Sequence, residues 1–468
     1  MSGGHHGAGR AGSSRADAAR PGLSRAEFLR LASGVAAATA SASALPALRR
    51  RAHADEAGGA DDAGERGSYR LLLATDIHYL SPRASRGADA LGTSISSGAL
   101  MTAYTDPIAD ALVAAVVAAR PDAFVMPGDL TYDGERASHE DFAPKLRAIA
   151  DAGIPVLVIP GNHDVAEADG AAEVDAADFA DRYGDFGPGL PGTIARDDAS
   201  QSYVWAPAAG GDAADGALRL LMLDCNAVPS VGVVPDATLA WVEAQLADAR
   251  AAGAHVVAFS HQVLLGNDAG YFGLWMENAP RVQELYERYG VVANFSGHVH
   301  GQSVATAPSG LVDVTTAALP IYPLRYAQID VSLSRRCLTY AARDLDVQDW
   351  ARSTGSADAA LRDFRAFSRA WYHDTQAATM RAMLAGLGAD EGVAGQIADY
   401  FARVSTARQE GRGADVERRQ DLIDAFADIA GDSTATRFLP ALDPSVATRG
   451  TEVAVSFREA REPRAARP

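Results

Sequence analysis

Residues 155–164 read "PVLVIPGNHD". An apolar run, Pro155 to Ile159, stops abruptly, and Gly161, Asn162, His163 and Asp164 follow in a row. The run is short and apolar, which predicts a strand. An amide, an imidazole and a carboxylate directly at its end need another explanation, and the same pattern recurs along the chain. "ATDIHYL" places Asp76 and His78 after a first apolar run, and "MPGDLTYDG" places Asp129 after a second. "FSHQ" gives His261, and "FSGHVHG" gives His298 and His300. Polar groups at the carboxyl ends of strands in an α/β sheet converge on one crevice. Two carboxylates, an amide and four imidazoles besides His163 would meet there. Nitrogen and oxygen donors without thiolate suit Mn, Fe or Zn. Gly128, Gly161 and Gly297 beside them let the backbone turn and approach closely. His139, His255 and His373 fall inside helix-like or strand-like surroundings and read as structural.

Working outward, "RLLLAT", "DAFVMP", "LRLLMLD", "HVVAFS" and "VVANFS" are further short apolar runs. Helical patterns separate them. "DPIADALVAAVVAAR" sets Ile108, Leu112, Val113 and Val116 on one face, and "PDATLAWVEAQLADAR" does the same with Leu239, Val242 and Leu246. Alternation of this kind predicts parallel or mixed sheets covered by helices. "LVDVTT", "YAQIDVSL" and "CLTYAARD" lack intervening helices and read as an antiparallel end. After about residue 346 the pattern turns helical, with Leu361, Phe364, Phe367 and Trp371 on one stripe and further helices near 391–408 and 415–430. The domains expected are an export signal over 1–54, a linker over 55–68, a catalytic domain over 69–346, and a helical region with a disordered tail over 347–468.

The chain has 468 residues, 48% of them apolar, and a formal charge of −18. That allows a large core. It argues against binding a nucleic-acid polymer, which needs a basic face to release counterions. The two cysteines, Cys225 and Cys337, sit in apolar runs and are expected as buried free thiols. At the N-terminus a basic start leads into a weakly apolar stretch, Leu31 to Leu48, and a small-x-small site at Ala52-His53-Ala54. "SRAEFLR" resembles a twin-arginine export signal, with Ala26 in place of the second arginine. Export, with no stable membrane span after processing, is the expectation; without a working signal the protein stays cytoplasmic.

The motifs from Asp76 to His300, taken together, resemble the calcineurin-like metallophosphoesterase superfamily. The resemblance implies a four-layer α/β sandwich, here with a C-terminal α-helical domain. It also implies two divalent or mixed-valence metal ions (Mn, Fe or Zn). Asp76, His78 and His300 would hold one, Asn162, His261 and His298 the other, and Asp129 would bridge them. His163 would face the substrate, with Asp164 orienting its ring. Two such ions clamp a phosphate and activate a bridging water for in-line attack on phosphorus. "LLATDIHYLSP", "YGDFGPG", "FSGHVHGQ" and "ALPIYPLRYAQI", followed by helices, resemble bacterial cyclic-nucleotide phosphodiesterases. In "GDLTY", Tyr132 stands where purple acid phosphatases carry an iron-binding tyrosine. Those enzymes lack a histidine at the position of His78, so His78 is expected to fill the slot.

The reading is a phosphodiesterase acting on a small phosphoester, with a nucleotide as the expected substrate. The alternatives are a secreted phosphomonoesterase or nucleotidase, and a non-catalytic scaffold, for which missing ligands would be the sign; none is missing. Tyr271, Phe272 and Trp275 in "VLLGNDAGYFGLWMEN", and Tyr322, are candidates for stacking a base, or for packing the helical region on the core.

Overall fold

The computed structural model describes residues 67–84, 99–165, 173–207, 217–266, 275–446 and 450–457. Two mixed sheets form the body. In the first, β1 (Ser68–Leu73), β2 (Ala123–Pro127) and β3 (Val156–Ile159) run parallel. On the other side of β1 the sheet continues antiparallel through β11 (Arg325–Ser332), β12 (Cys337–Asp344) and β13 (Glu452–Ser456). The second sheet runs β4 (Thr193–Arg196), β5 (Tyr203–Trp205), β6 (Leu218–Leu223), β7 (His255–Ser260), β8 (Ala293–Ser296), β10 (Val312–Thr315), β9 (Ser303–Thr306). Strands β6, β7, β8 and β10 are parallel neighbours there.

Period-two side-chain alternation assembles the layers. Leu71 and Leu73 of β1 point inward to meet Leu220, Met222, Phe259 and Phe295 of the second sheet. Leu72 and Ala74 point outward, against α1 (Thr105–Ala119) and α2 (Arg136–Asp151). On the far side, Leu221, Leu223 and Ala258 meet α4 (Asp236–Ala251) and α5 (Ala279–Tyr289). Helix, sheet, sheet, helix is the expected four-layer sandwich. Both faces of each central strand are covered, which is why those strands read as unbroken apolar runs. The stretch Thr102–Ala119 has the length and mean hydropathy, 1.2, of a membrane span, but Ile108, Leu112 and Val116 belong to the core under the first sheet.

Past Asp344 come α6 (Val347–Ser353), α7 (Ala359–Arg362), α8 (Phe364–Gly386), α9 (Glu391–Gln409) and α10 (Gln420–Ala430). The stripe of Leu361, Phe364, Phe367 and Trp371 packs onto the α1 layer; Phe367 lies 4.8 Å from Tyr104. The far half of α8 enters a separate core with Ile397, Tyr400, Phe401, Val404 and Phe426. Arg325 ties the two parts together. Buried in β11, it donates to the Gln409 carbonyl at 2.6 Å and to Gln409 Oε1 at 3.1 Å.

Three expectations need correction. The chain does not stay helical after residue 346. Residues 452–456 return as β13, whose short alternating sequence at a sheet edge gives a weak signal. "LVDVTT" is not part of the antiparallel end, because β10 lies parallel to β8 and joins the other sheet. Both cysteines are free, but only Cys225 is buried; Cys337 is half-exposed at the start of β12. The export signal, most of the linker and residues 458–468 lie outside the described residues.

Candidate metal centre

Past their last ladder residues, the loops after β1 and β2 stay joined. The amide of Asp76 donates to Gly128 O at 3.2 Å and that of His78 to Asp129 O at 3.0 Å. In the second sheet, the Gly297 amide donates to His261 O at 3.0 Å. Each loop then kinks. Asp76, His78, Asp129, His298 and His300 all have positive φ, between 44° and 68°. They are five of the nine such non-glycine residues among those described. Aspartate and histidine tolerate this left-handed region better than most residues, yet five together mark a functional constraint. Close approach demands glycine alongside. A Cβ on Gly128 would lie 2.6 Å from His261 Nδ1, and one on Gly161 would collide with the Asp129 carboxylate.

The side chains meet as two groups sharing Asp129. Ligand atoms of Asp76, His78, Asp129 and His300 cluster within 4.8 Å of one another, as do those of Asp129, His261 and His298. Nε2 of His78 and Nε2 of His300 approach to 2.9 Å. Asp129 Oδ2 lies 3.4 Å from His78 Nε2 and 3.2 Å from His261 Nε2, between the two groups. Asn162 Oδ1 sits 3.1 Å from His261 Nε2 and completes the second.

These donors fit a pair of cations. Burial pushes the pKa of His78 and His298 down to about 3 and lowers that of His300, keeping them neutral, the ligating form. His261 donates Nδ1–H to Pro127 O at 3.0 Å, so Nε2 aims at the oxygens of Asp129 and Asn162. Lone pair would face lone pair unless something positive lay between. Burial works against a proton on His261, but Asp129 outweighs it and raises the pKa to about 9. That proton stands where a cation belongs. Burial would likewise raise Asp129, yet His261, His163 and His78 hold it well below the usual carboxylate range. Its Oδ2 is buried without a hydrogen-bond donor, as a bridging oxygen would be.

His163 stands beside this cluster, edge-on to His78 at 4.9 Å, with its side chain 39% exposed. Its Nδ1 lies 3.2 Å from Asp133 Oδ1. Burial works against its proton, but Asp129 and Asp133 outweigh that and raise its pKa. Asp164 does not orient this ring as expected. It is buried, accepting from Gly161 N at 2.8 Å, Leu130 N at 3.1 Å, Thr131 N at 2.8 Å and Thr131 Oγ1 at 3.0 Å. A carboxylate with four donors clamps the loops after β2 and β3 together and has no capacity left for the imidazole. His139 braces this clamp from α2. Its Nε2 donates to Asp164 O at 3.0 Å, and its Nδ1 accepts from Tyr183 OH at 2.9 Å.

Asp133 carries no motif of its own in the sequence; an acidic residue before a glycine, as here before Gly134, is common in turns. The signal available was a second carboxylate in the loop of Asp129. Of the aromatic candidates, Tyr271 and Phe272 lie outside the described residues, and Trp275 is half-buried, bridged to Val263. Tyr322 is not available for stacking. It is buried among Leu100, Ile321 and Tyr372, and its hydroxyl donates to Glu410 at 3.0 Å. Tyr132 packs against the same group, its ring 6.4 Å from that of His78.

Known proteins resemble part of this chain. Over 183 residues it is 32% identical to the glycerophosphodiester phosphodiesterase GpdQ of Enterobacter lignolyticus strain SCF1. That match covers 39% of this chain and 56% of the relative's length. A dimetal phosphatase from Danio rerio aligns over 60% of this chain and 97% of its own at 14% identity, with a TM-score of 0.43. A purple acid phosphatase from yellow lupin (Lupinus luteus) seeds covers 60% of this chain and 52% of its own at 15% identity, TM-score 0.39. Residues 69–302, half of the chain, match a single family of metal-dependent phosphoester hydrolases, and every ligand position discussed above falls within them. The chain belongs to the calcineurin-like phosphoesterase family.

Proposed function

We propose that this protein hydrolyses phosphodiesters with alkoxide leaving groups, cyclic nucleotides among them, at the dinuclear site. Bound there, two cations would act as Lewis acids on the phosphoryl oxygens and lower the pKa of a water. The carboxylate of Asp129 joins the two halves of the site, and neutral Asn162 limits the negative charge set against the phosphate. Asp76, His78, His261, His298 and His300 are fixed by strand ends, so the cradle is organised before substrate arrives.

The observation that carries the reading is the pairing of His163 with Asp133 at the open edge of the cluster. Asp133 faces Nδ1–H, and against the effect of burial the nearby carboxylates of Asp129 and Asp133 raise the pKa of His163 so that the ring carries both protons; Nε2–H is then the one to pass to the departing oxygen. A ribose or glycerol alkoxide leaves poorly and needs that proton; an aryl oxide does not. The phosphodiesterase named as a relative adds support for diesters, while cyclic nucleotides rest on the sequence motifs. The metal pair is drawn from Mn, Fe and Zn. Export across the cytoplasmic membrane completes the proposal, on the basic and weakly apolar N-terminal stretch.

A substrate panel with Mn²⁺ tests it. The panel contains 2′,3′- and 3′,5′-cyclic nucleotides, bis-p-nitrophenyl phosphate and matching monoesters. Diesters, cyclic ones included, are expected to turn over faster. Monoesters leading by a wide margin would replace the reading with a phosphomonoesterase. Detection of the chain outside the cytoplasm, trimmed near Ala54, tests export.

A further inference from the structure

The second cation's ligands come from both sheets: Asn162 follows β3 of the first, and His261 and His298 follow β7 and β8 of the second. Packing of apolar faces fixes the separation of two sheets only loosely, whereas metal ligands must be placed within about 0.5 Å. Something at the rim has to set that gap. Asp224, Cys225 and Asn226 follow β6, beside the loop that holds His261. They form a sixth polar cluster at a strand end.

Asn226 and Gln262 are both buried, and their side-chain amides face one another. Asn226 Nδ2 donates to Gln262 Oε1 at 3.0 Å, and Gln262 Nε2 donates back to Asn226 Oδ1. Asn226 Nδ2 also donates across the gap between sheets to Pro160 O at 3.0 Å. Pro160 lies two residues before Asn162, and Gln262 directly follows His261. One amide pair therefore grips both backbone segments that carry these facing ligands.

The grip is itself held. Asp224 accepts from the amides of Asn226 at 2.7 Å, Ala227 at 3.1 Å and Gln201 at 2.9 Å, which fixes the turn that aims Asn226. The thiol of Cys225 donates to Gln262 Oε1 at 2.7 Å. Among the described residues, no hydrogen bond joins this group to Asp76, His78 or His300.

We infer that Asn226 and Gln262 are positioning residues for the second metal ion, a clamp that sets the distance between Asn162 and His261. The inference rests on the assignment of Asn162, His261 and His298 to that ion. Removing such a partner typically costs 10–100-fold in metal affinity. Because only one half of the site is gripped, the two ions should separate.

The test titrates the metal-free full chain with Mn²⁺ or Zn²⁺ by calorimetry and counts bound metal after dialysis. N226A is expected to weaken one of two binding steps about 10–100-fold and to leave close to one ion per chain. Asn226→Asp, which cannot donate to Pro160 O, should behave in the same way. Gln262→Met keeps side-chain length, leaves the Asn226–Pro160 bond, and should give a smaller loss in the same step. Two unchanged steps, or an equal loss from both, would overturn the proposal. So would failure of N226A and Gln262→Met alike to fold, since the pair would then serve folding alone. A wild-type chain that takes up two ions but cleaves no diester would sink the proposed substrate and leave the clamp standing.

Discussion

The two-sheet body and the helical region bury different kinds of polar group. In the body, buried carboxylates and imidazoles crowd the strand ends, five of the candidate ligands on left-handed backbone, and serve a candidate ligand position or a loop next to one. Asp164, Asp224 and Asp313 show the second use. Asp313 of β10 accepts from Leu264 N at 2.7 Å and Leu265 N at 2.9 Å, anchoring the loop that leaves His261. The helical region has a core of apolar side chains and, among its described residues, no buried carboxylate or imidazole; the polar groups it buries are hydroxyls and amides such as Ser368, Thr379, Ser405 and Gln409, with the guanidinium of Arg408. It joins the body through the aromatic stripe on the α1 layer and through Arg325 to Gln409 and Tyr322 to Glu410. Buried polarity costs free energy unless satisfied. The body carries buried carboxylates and imidazoles where the candidate chemistry needs them; among the described residues the helical region buries neither. Stability and catalysis should therefore be separable by mutation.

The largest expected effect tests the polar side of this contrast. Asp129→Ala removes the oxygen shared by both ligand groups. Metal content should fall from two ions to background, and turnover by on the order of 10³-fold or more. Two ions retained per chain, measured by elemental analysis, would disprove the bridging role.

His163→Ala should leave metal content unchanged and slow a cyclic nucleotide by about 10²–10⁴-fold, the range for a positioned acid. The loss on bis-p-nitrophenyl phosphate should be distinctly smaller. Equal losses on both substrates would mean that His163 stabilises phosphoryl charge and donates no proton.

Phe401→Ala probes the other region. Phe401 is fully buried in the helical core, so the cavity should cost about 3–5 kcal/mol, seen as early melting of that part. Metal stoichiometry should stay at two. A matching loss of metal would show that the regions are not separable.

His139 gives a pH test. Burial lowers its pKa to about 4, below the ordinary 6.5. The folded state thus favours neutral imidazole. Its contribution is fully present above about pH 6.5 and is lost as pH falls through about 4, roughly 3 kcal/mol in all. Unfolding titrations of His139→Gln should show a flatter pH dependence in that window; an unchanged slope would remove His139 as its source.

Asp133→Asn should have the mildest effect. It should slow alkyl diester cleavage about tenfold and leave the aryl diester and the metals nearly untouched, as expected for a residue acting through His163. Asp164→Asn should differ, destabilising the fold and affecting both substrates, because its carboxylate holds loops and not the ring.

The central strands were legible in sequence because both of their faces are buried, which writes a continuous apolar run. The cluster of candidate ligands was legible for a related reason: a donor of fixed type must stand within a few residues of a strand end. Short edge strands such as β4, β9 and β13 gave no comparable signal, since one face or less is buried and few residues take part; β5 is buried but only three residues long. Sequence by itself determined the alternation of strands and helices, the order of the strand-end motifs and the candidate donor set, and the family resemblance they carry implied the four layers. Tertiary structure alone decided that Asp133, not Asp164, partners His163. It also decided that Tyr322 is tied to Glu410, and that Asn226 reaches Pro160 from the opposite sheet. Those pairs lie 30, 88 and 66 residues apart in the chain. A local pattern can specify which face a side chain takes, but which distant partner it meets depends on how two separately formed sheets and a helical layer pack.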